Sequence, residues 1–264
     1  MAHPGTARSA AFFDLDKTIL ARSSTLAFSR PFYAGGLINR RTVLRSAYAQ
    51  FVYLLGGADH DQMERMREYI SAMCTGWDVA TVQSIVADTL DHIVRPMIHT
   101  EAVELIEQHH AAGRDVVIVS SSGAEVVEPI GAMLGADKVI ATRMVVADGK
   151  YTGEIADYAY GPNKVTAIQA LAAAEGYDLS TSYGYSDSIT DEPLLAAVGH
   201  PFAVNPDKAL RRIAVERGWP VLEFAEPQQP HRNVVRRPAV AAGVVAAVAA
   251  GALLLASRRR SRRV

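Results

Sequence analysis

The 264-residue chain predicts an α/β fold: a doubly wound parallel sheet with an inserted all-helical cap, followed by a C-terminal transmembrane or membrane-associated helix. Three observations carry this expectation. Short apolar runs recur and end in polar, chemically useful residues; helical patterns separate most of them; and the stretch after the first run has helical periodicity throughout.

The strand-like runs are AAFFD (10–14), DVVIVS (115–120), KVIAT (138–142), SYGYSD (182–187) and PFAVN (201–205). Each is too short and too rich in β-branched or aromatic residues to favour a helix. Near-continuous apolarity, in place of strict alternation, is the signature of strands covered on both faces, as in a Rossmann-like parallel core. The core is expected to comprise residues 9–20 and 96–226, with the cap spanning 21–95.

Within that insert three apolar stripes recur at helical spacing: Val43, Leu44, Ala47, Tyr48, Phe51 and Leu55; Met63, Met66, Ile70 and Met73; and Val79, Val82, Ile85, Val86, Leu90 and Ile93. An insert at the carboxyl end of the first strand would sit over whatever site the sheet presents. A helix after Thr100, stopping at Gly113, leads back into the sheet. In RMVVADGKYTGEI, apolar alternation on both sides of Asp148-Gly149 predicts a tight hairpin.

Eight arginines and no acidic residue fall in 230–264, so the rest of the chain carries 19 basic against 28 acidic side chains, a net of -9. Pro227 and Pro230 open a linker (227–238), after which Ala239–Ala256 is an uncharged run of 18 residues followed by a basic tail (257–264). At ~1.5 Å per residue this run is just long enough to cross a thin hydrocarbon core. No secretory signal precedes the body, since Asp14 and Asp16 interrupt the first apolar run. The expectation is a cytoplasmic catalytic body anchored to the inner face of the cell membrane. Nothing in the acidic body favours nucleic acid, and a single cysteine, Cys74, rules out an internal disulfide and reads as a buried apolar residue.

Four segments hold the candidate chemistry. Asp14 and Asp16 in DLDKT end the first strand two residues apart, which on a strand points both carboxylates the same way; such a pair is costly unless a cation or proton lies between them. Ser120 ends the second strand, and Ser122 with Glu125 fits a capping box that would put Ser121 and Ser122 at a helix N-terminus able to receive an anion. Lys164 falls in the first turn of a helix outlined by Val165, Ile168, Leu171 and Gly176, where a cation opposes the helix dipole and calls for an anionic partner. Asp187 and Asp191, four residues apart after the fourth strand, would share the face of a starting helix. Asp14, Ser120 and Asp187 thus converge at the carboxyl ends of strands, where open α/β sheets place their ligands.

DLDKT, VIVSSS, Lys164 and SDSITD, in that order, resemble the four motifs of the haloacid dehalogenase superfamily; the helical insert and GHPFAVNPD resemble its phosphoserine-phosphatase-like subfamily IB. The resemblance covers residues 9–222. It implies a magnesium-dependent phosphatase acting on a small phosphate monoester, in which Asp14 is the nucleophile and forms an aspartyl phosphate. Asp16 would be the acid and base, Ser120, the Ser121 amide and Lys164 would hold the phosphoryl oxygens, and Thr18 would order the first loop. Mg2+ would be bound by an Asp14 oxygen, the Asp16 carbonyl and Asp187, with Asp191 behind them.

Two departures argue against phosphoserine itself as the substrate. Ser23 stands where those phosphatases carry the cap glutamate that reads the amino group, and Ser121-Ser122 replaces their Gly-Gly. A phosphotransferase using the same aspartyl phosphate, and a noncatalytic membrane-tethered binding protein, are the competing classes. The intact acidic and lysine motifs weigh against the second, and a single membrane run excludes a P-type ion pump, which shares the DKT signature.

Overall fold

Strand β1 (Ala10–Phe13) is four residues long and wholly buried because it runs through the middle of a sheet covered on both faces. It pairs in parallel with β2 (Asp115–Gly123) on one side and β5 (Tyr183–Ser186) on the other. With β3 (Lys138–Ala147), β4 (Lys150–Asp157), β6 (His200–Val204) and β7 (Val221–Leu222), the sheet order is β4-β3-β2-β1-β5-β6-β7. Every pairing is parallel except the β3–β4 hairpin at one edge. This is a computed structural model, and it describes residues 8–38 and 71–227.

Side-chain alternation divides the core into two faces. Ala11 and Phe13 of β1 join Val116 and Ile118 of β2 in one apolar cluster, covered by α4 (Thr100–Ala111) and α5 (Ala124–Leu134) through Ile106, Val127 and Ile130. Phe12, Val117 and Val119 join the other cluster, covered by α6 (Pro162–Glu175), α7 (Glu192–Ala196) and α8 (Lys208–Arg217) through Ile168, Leu194, Leu195 and Leu210. Each fully buried side chain of this size stabilises the fold by about 1.5–3 kcal/mol. Two-sided cover is why these strands read as unbroken apolar runs.

Asp148 and Gly149 both take positive φ, 50° and 74°, the conformation of a two-residue hairpin turn matched to strand twist. From the expected cap, α1 (Ser24–Ala27), α2 (Ser29–Ala34) and α3 (Val79–Ile93) are described. Asp78 caps α3 by accepting a 2.7 Å hydrogen bond from the Thr81 N–H. Val82 and Val86 are buried, and Val79, Ile85, Leu90 and Ile93 pack partly buried against the same cluster, so this stripe faces the core as its spacing requires. The segment before α3 is zipped to the hairpin: Gly76 donates to the Tyr151 carbonyl, Tyr151 to that of Trp77, and Val79 to that of Gly149. The 43–55 stripe lies outside the described residues, as do all but Met73 of the second, the linker after Pro227, the 239–256 run and the basic tail. Among the described residues no helix is long and apolar enough to cross a membrane.

Three local expectations are corrected. Strand β2 runs to Gly123, not Ser120, and the capping box does not form: Gly123 caps α5 without a side-chain bond, because the Ser122 hydroxyl is taken by Asp16. Asp187 and Asp191 do not share a helix face. Asp187 lies in the loop after β5, and Asp191 ends a 3-10 turn (Ile189–Asp191) capped by Ser188. Finally, β1 ends at Phe13, so Asp14 and Asp16 leave it through a turn in which Lys17 takes φ 67°, and their carboxylates engage different partners.

Candidate active site

The register pairs Phe13 with both Ile118 and Tyr185, so the chain reaches Asp14, Ser120 and Asp187 within two residues of that level on three neighbouring strands. Strand order reverses around β1, and open sheets place their ligands at such a switch point. The Asp14 N–H is fixed by the Tyr185 carbonyl at 2.9 Å.

Lys164 links the acids. It heads the buried stripe of α6, with Ile168 and Ala172 following at intervals of four, so the packing that seats the helix drives the lysine inward. Its ammonium donates 2.7 Å hydrogen bonds to Asp14 Oδ1 and Asp191 Oδ2, and all three side chains are at most one-tenth exposed. The Ser186 hydroxyl supports the far end, donating to Asp191 Oδ2 at 2.8 Å. The anionic partner expected of Lys164 is therefore a pair of carboxylates.

Burial pushes the Asp14 carboxyl well above the usual range; Lys164 opposes this, and Asp191 and Asp187 reinforce it. Burial would strip the proton from Lys164, but the two carboxylates it bonds outweigh that and hold it charged. Asp187 is pushed up to about 6, chiefly by burial, with the Lys17 charge opposing and Asp191 adding to the rise. Lys164 thus meets two buried acids, and the third, Asp187, has only the exposed Lys17 against it, so negative charge is in local excess among the buried groups.

Asp16 takes separate partners. Its Oδ1 accepts from the Ser24 N–H at 2.6 Å, and its Oδ2 from the Ser122 hydroxyl at 2.9 Å and the Ser24 hydroxyl at 3.2 Å. Ser120 is buried and accepts from the Ser122 N–H at 3.2 Å. Ser121 is exposed, and its carbonyl is tied to the Thr142 hydroxyl at 2.8 Å, which fixes the loop leading to α5. Thr18 is buried.

Among the described residues two buried polar atoms have no hydrogen-bond partner, Thr18 Oγ1 and Asp191 Oδ1. Leaving such atoms dry costs about 1–3 kcal/mol each, so they mark places where a ligand or solvent completes the site. With the excess of acids, the donor set fits a hard divalent cation. Among the described residues no group of three acidic, His or Cys side chains is arranged to hold a metal. The expected set needs only two, Asp14 and Asp187, plus the Asp16 carbonyl.

The site also recruits Ser24, Ser122 and Ser186 as hydrogen-bond donors and Lys17 as a nearby charge. For Lys17, Ser24 and Ser186 the one legible signal was proximity to a motif acid, whereas Ser122 read as a helix cap; only the fold shows what their side chains reach.

Comparison with known proteins agrees with this geometry. Residues 11–196 match the family of haloacid dehalogenase-like hydrolases. The chain is 64% identical over 263 residues to the Streptomyces azureus "Inhibition of morphological differentiation protein", covering 96% of this chain and 95% of that one. It is 59% identical over 241 residues to a probable phosphatase of Mycobacterium tuberculosis, covering 91% and 84%. It is 34% identical over 255 residues to a phosphoserine phosphatase of the same organism, covering 96% and 82%. The chain belongs to the haloacid dehalogenase-like hydrolases, as a phosphatase-type member related to the phosphoserine phosphatases.

Proposed function

We propose that this protein hydrolyses a small phosphate monoester through an aspartyl phosphate on Asp14, with Mg2+ as its cofactor. The observation that carries the reading is the buried Lys164, which holds Asp14 Oδ1 at 2.7 Å while also bonding Asp191 Oδ2. Asp14 attacks phosphorus in line with the leaving oxygen; an Asp14 O–P bond forms as the ester P–O bond breaks. Asp16 gives its proton to the leaving alcohol and later takes one from the water that cleaves the acyl phosphate, restoring Asp14 and releasing phosphate. Lys164 and the Ser120–Ser121 segment face the phosphoryl oxygens as negative charge shifts onto them. Asp14, Asp187 and the Asp16 carbonyl would hold Mg2+, with Asp191 supporting. The ion would supply charge neutralisation between an anionic nucleophile and an anionic substrate.

Ser23 at the position of the amino-group-reading glutamate argues for a substrate other than phosphoserine. The 239–256 run is read as an anchor holding the catalytic body at the cytoplasmic face of the membrane; removal of residues 231–264 should release the protein to the soluble fraction with turnover of soluble esters intact. Sedimentation of the truncated chain with membranes would overturn that anchor.

The experiment that tests the function is magnesium-dependent phosphate release from phosphoserine, sugar phosphates, nucleotides and lysophospholipid phosphates by wild type and Asp14→Asn. Release by wild type alone is expected; equal release by both removes the nucleophile.

A further inference from the structure

We infer that Ser122 is a positioning residue for Asp16, holding its carboxyl so that the proton passes to the leaving group; this rests on the phosphatase reading above. By the resemblance above, Ser122 stands in place of the second glycine of a Gly-Gly pair, so it brings a hydroxyl to that position. The residue is 8% exposed, and its hydroxyl lies against two residues of the cap, Ser24 and Thr25.

The hydrogen-bond accounting assigns the direction. A hydroxyl has one proton and two acceptor sites. Asp16 Oδ2 accepts from Ser122 at 2.9 Å, and the Ser122 oxygen in turn accepts from the Thr25 hydroxyl at 3.3 Å. The Ser24 hydroxyl, 3.1 Å from Ser122, has its own route to Oδ2. Three donors from two segments, counting the Ser24 N–H, therefore fix both carboxyl oxygens of Asp16.

The consequence lies in the charge that develops. When Asp16 acts as acid its O–H bond breaks, the proton goes to the leaving alcohol oxygen, and the carboxyl becomes an anion. Hydrogen bonds to an anion are shorter and stronger than to the neutral acid, so the Ser122 bond strengthens as the proton departs. Its contribution is largest where the leaving group most needs a proton, and small where the leaving group departs unaided.

The test compares wild type, Ser122→Ala and Ser122→Thr on 4-nitrophenyl, phenyl and 4-methoxyphenyl phosphate, which differ little in shape but widely in leaving-group basicity. The readout is kcat/KM, which reports the step that expels the phenol. Since a positioned acid contributes about 10²–10⁴-fold, loss of one of its three anchors should lower Ser122→Ala by about tenfold on phenyl and 4-methoxyphenyl phosphate and by less than about threefold on 4-nitrophenyl phosphate. Ser122→Thr, which keeps the hydroxyl, should recover most of the loss. Equal losses on all three esters, no loss on any, or no recovery by threonine would overturn the inference while leaving the phosphatase reading intact. Failure of wild type to release phosphate from these esters and from the panel above would overturn both.

Discussion

Replacing Lys164 by methionine keeps most of the side chain's volume and removes its charge, leaving Asp14 and Asp191 facing each other's field without the cation that bonds both. Their side chains are 10% and 3% exposed, so solvent screens neither. Removing one partner of a buried ion pair costs about 3–5 kcal/mol, because the penalty is that of the charge left behind. At about 2–4 °C per kcal/mol for a domain of this size, the midpoint of metal-free unfolding should fall by roughly 6–20 °C. The loss should depend on pH. Unpaired buried carboxylates hold protons more firmly in the native than in the unfolded state, so stability falls as pH rises; the deficit should be smaller near pH 5 than near pH 8. Circular-dichroism melts of wild type and Lys164→Met at both pH values read this directly. Lys164→Met with Asp191→Asn, which removes one stranded charge, should recover part of the stability. A single variant that melts with wild type at both pH values would show that the lysine does not bear on these acids, and the account of the site would fail.

Two further outcomes follow from the same electrostatics. His109 is buried, and burial, then Arg114 and His110, depress it to about 4 even though it sits in the last turn of α4, where the dipole favours a charge. Arg114 donates to Nδ1 at 2.7 Å, which leaves Nε2 to donate to the Tyr185 hydroxyl at 2.9 Å. With the folded value below the unfolded one, this group's contribution is lost as pH falls from about 6.5 to about 4; His109→Gln should flatten that part of the stability profile, and an unchanged profile refutes it. Mg2+ should raise the melting midpoint of wild type near pH 7 by binding only the native state, and Asp187→Asn should abolish most of that rise; an equal rise in both would remove Asp187 from the metal site.

The sheet was legible because its strands are buried on both faces and so announce themselves as apolar runs. AAFF, VVIV and FAV read correctly for that reason, whereas β7, two residues at the sheet edge, has too little pattern to register. Asp148-Gly149 was equally legible, since a turn with two positive φ angles leaves little choice of residue. Position 122 shows where local reading fails. Ser-x-x-Glu matches a capping box, but Asp16, 106 residues away in sequence, takes the serine hydroxyl. A motif scores only neighbours in sequence, and the fold brings a carboxyl oxygen of Asp16 to 2.9 Å from the hydroxyl. Lys164 lies between these cases: its place against the dipole demanded an anion, yet which anions it meets is fixed by the packing of α6, not by anything near residue 164. The pairing of Asp14 with Asp16 misled in the same way, because the strand ends one residue before the motif begins.

The measurement closest to the central claim is chemical trapping of the intermediate. Wild-type protein mixed with a hydrolysed ester and Mg2+, quenched in acid and reduced with borohydride, should carry homoserine at position 14, since reduction converts an aspartyl phosphate and leaves a free carboxylate untouched. The account predicts conversion at Asp14 alone, dependent on substrate and absent from Asp14→Asn. Turnover with no homoserine at that position, or with conversion at another residue, would contradict it.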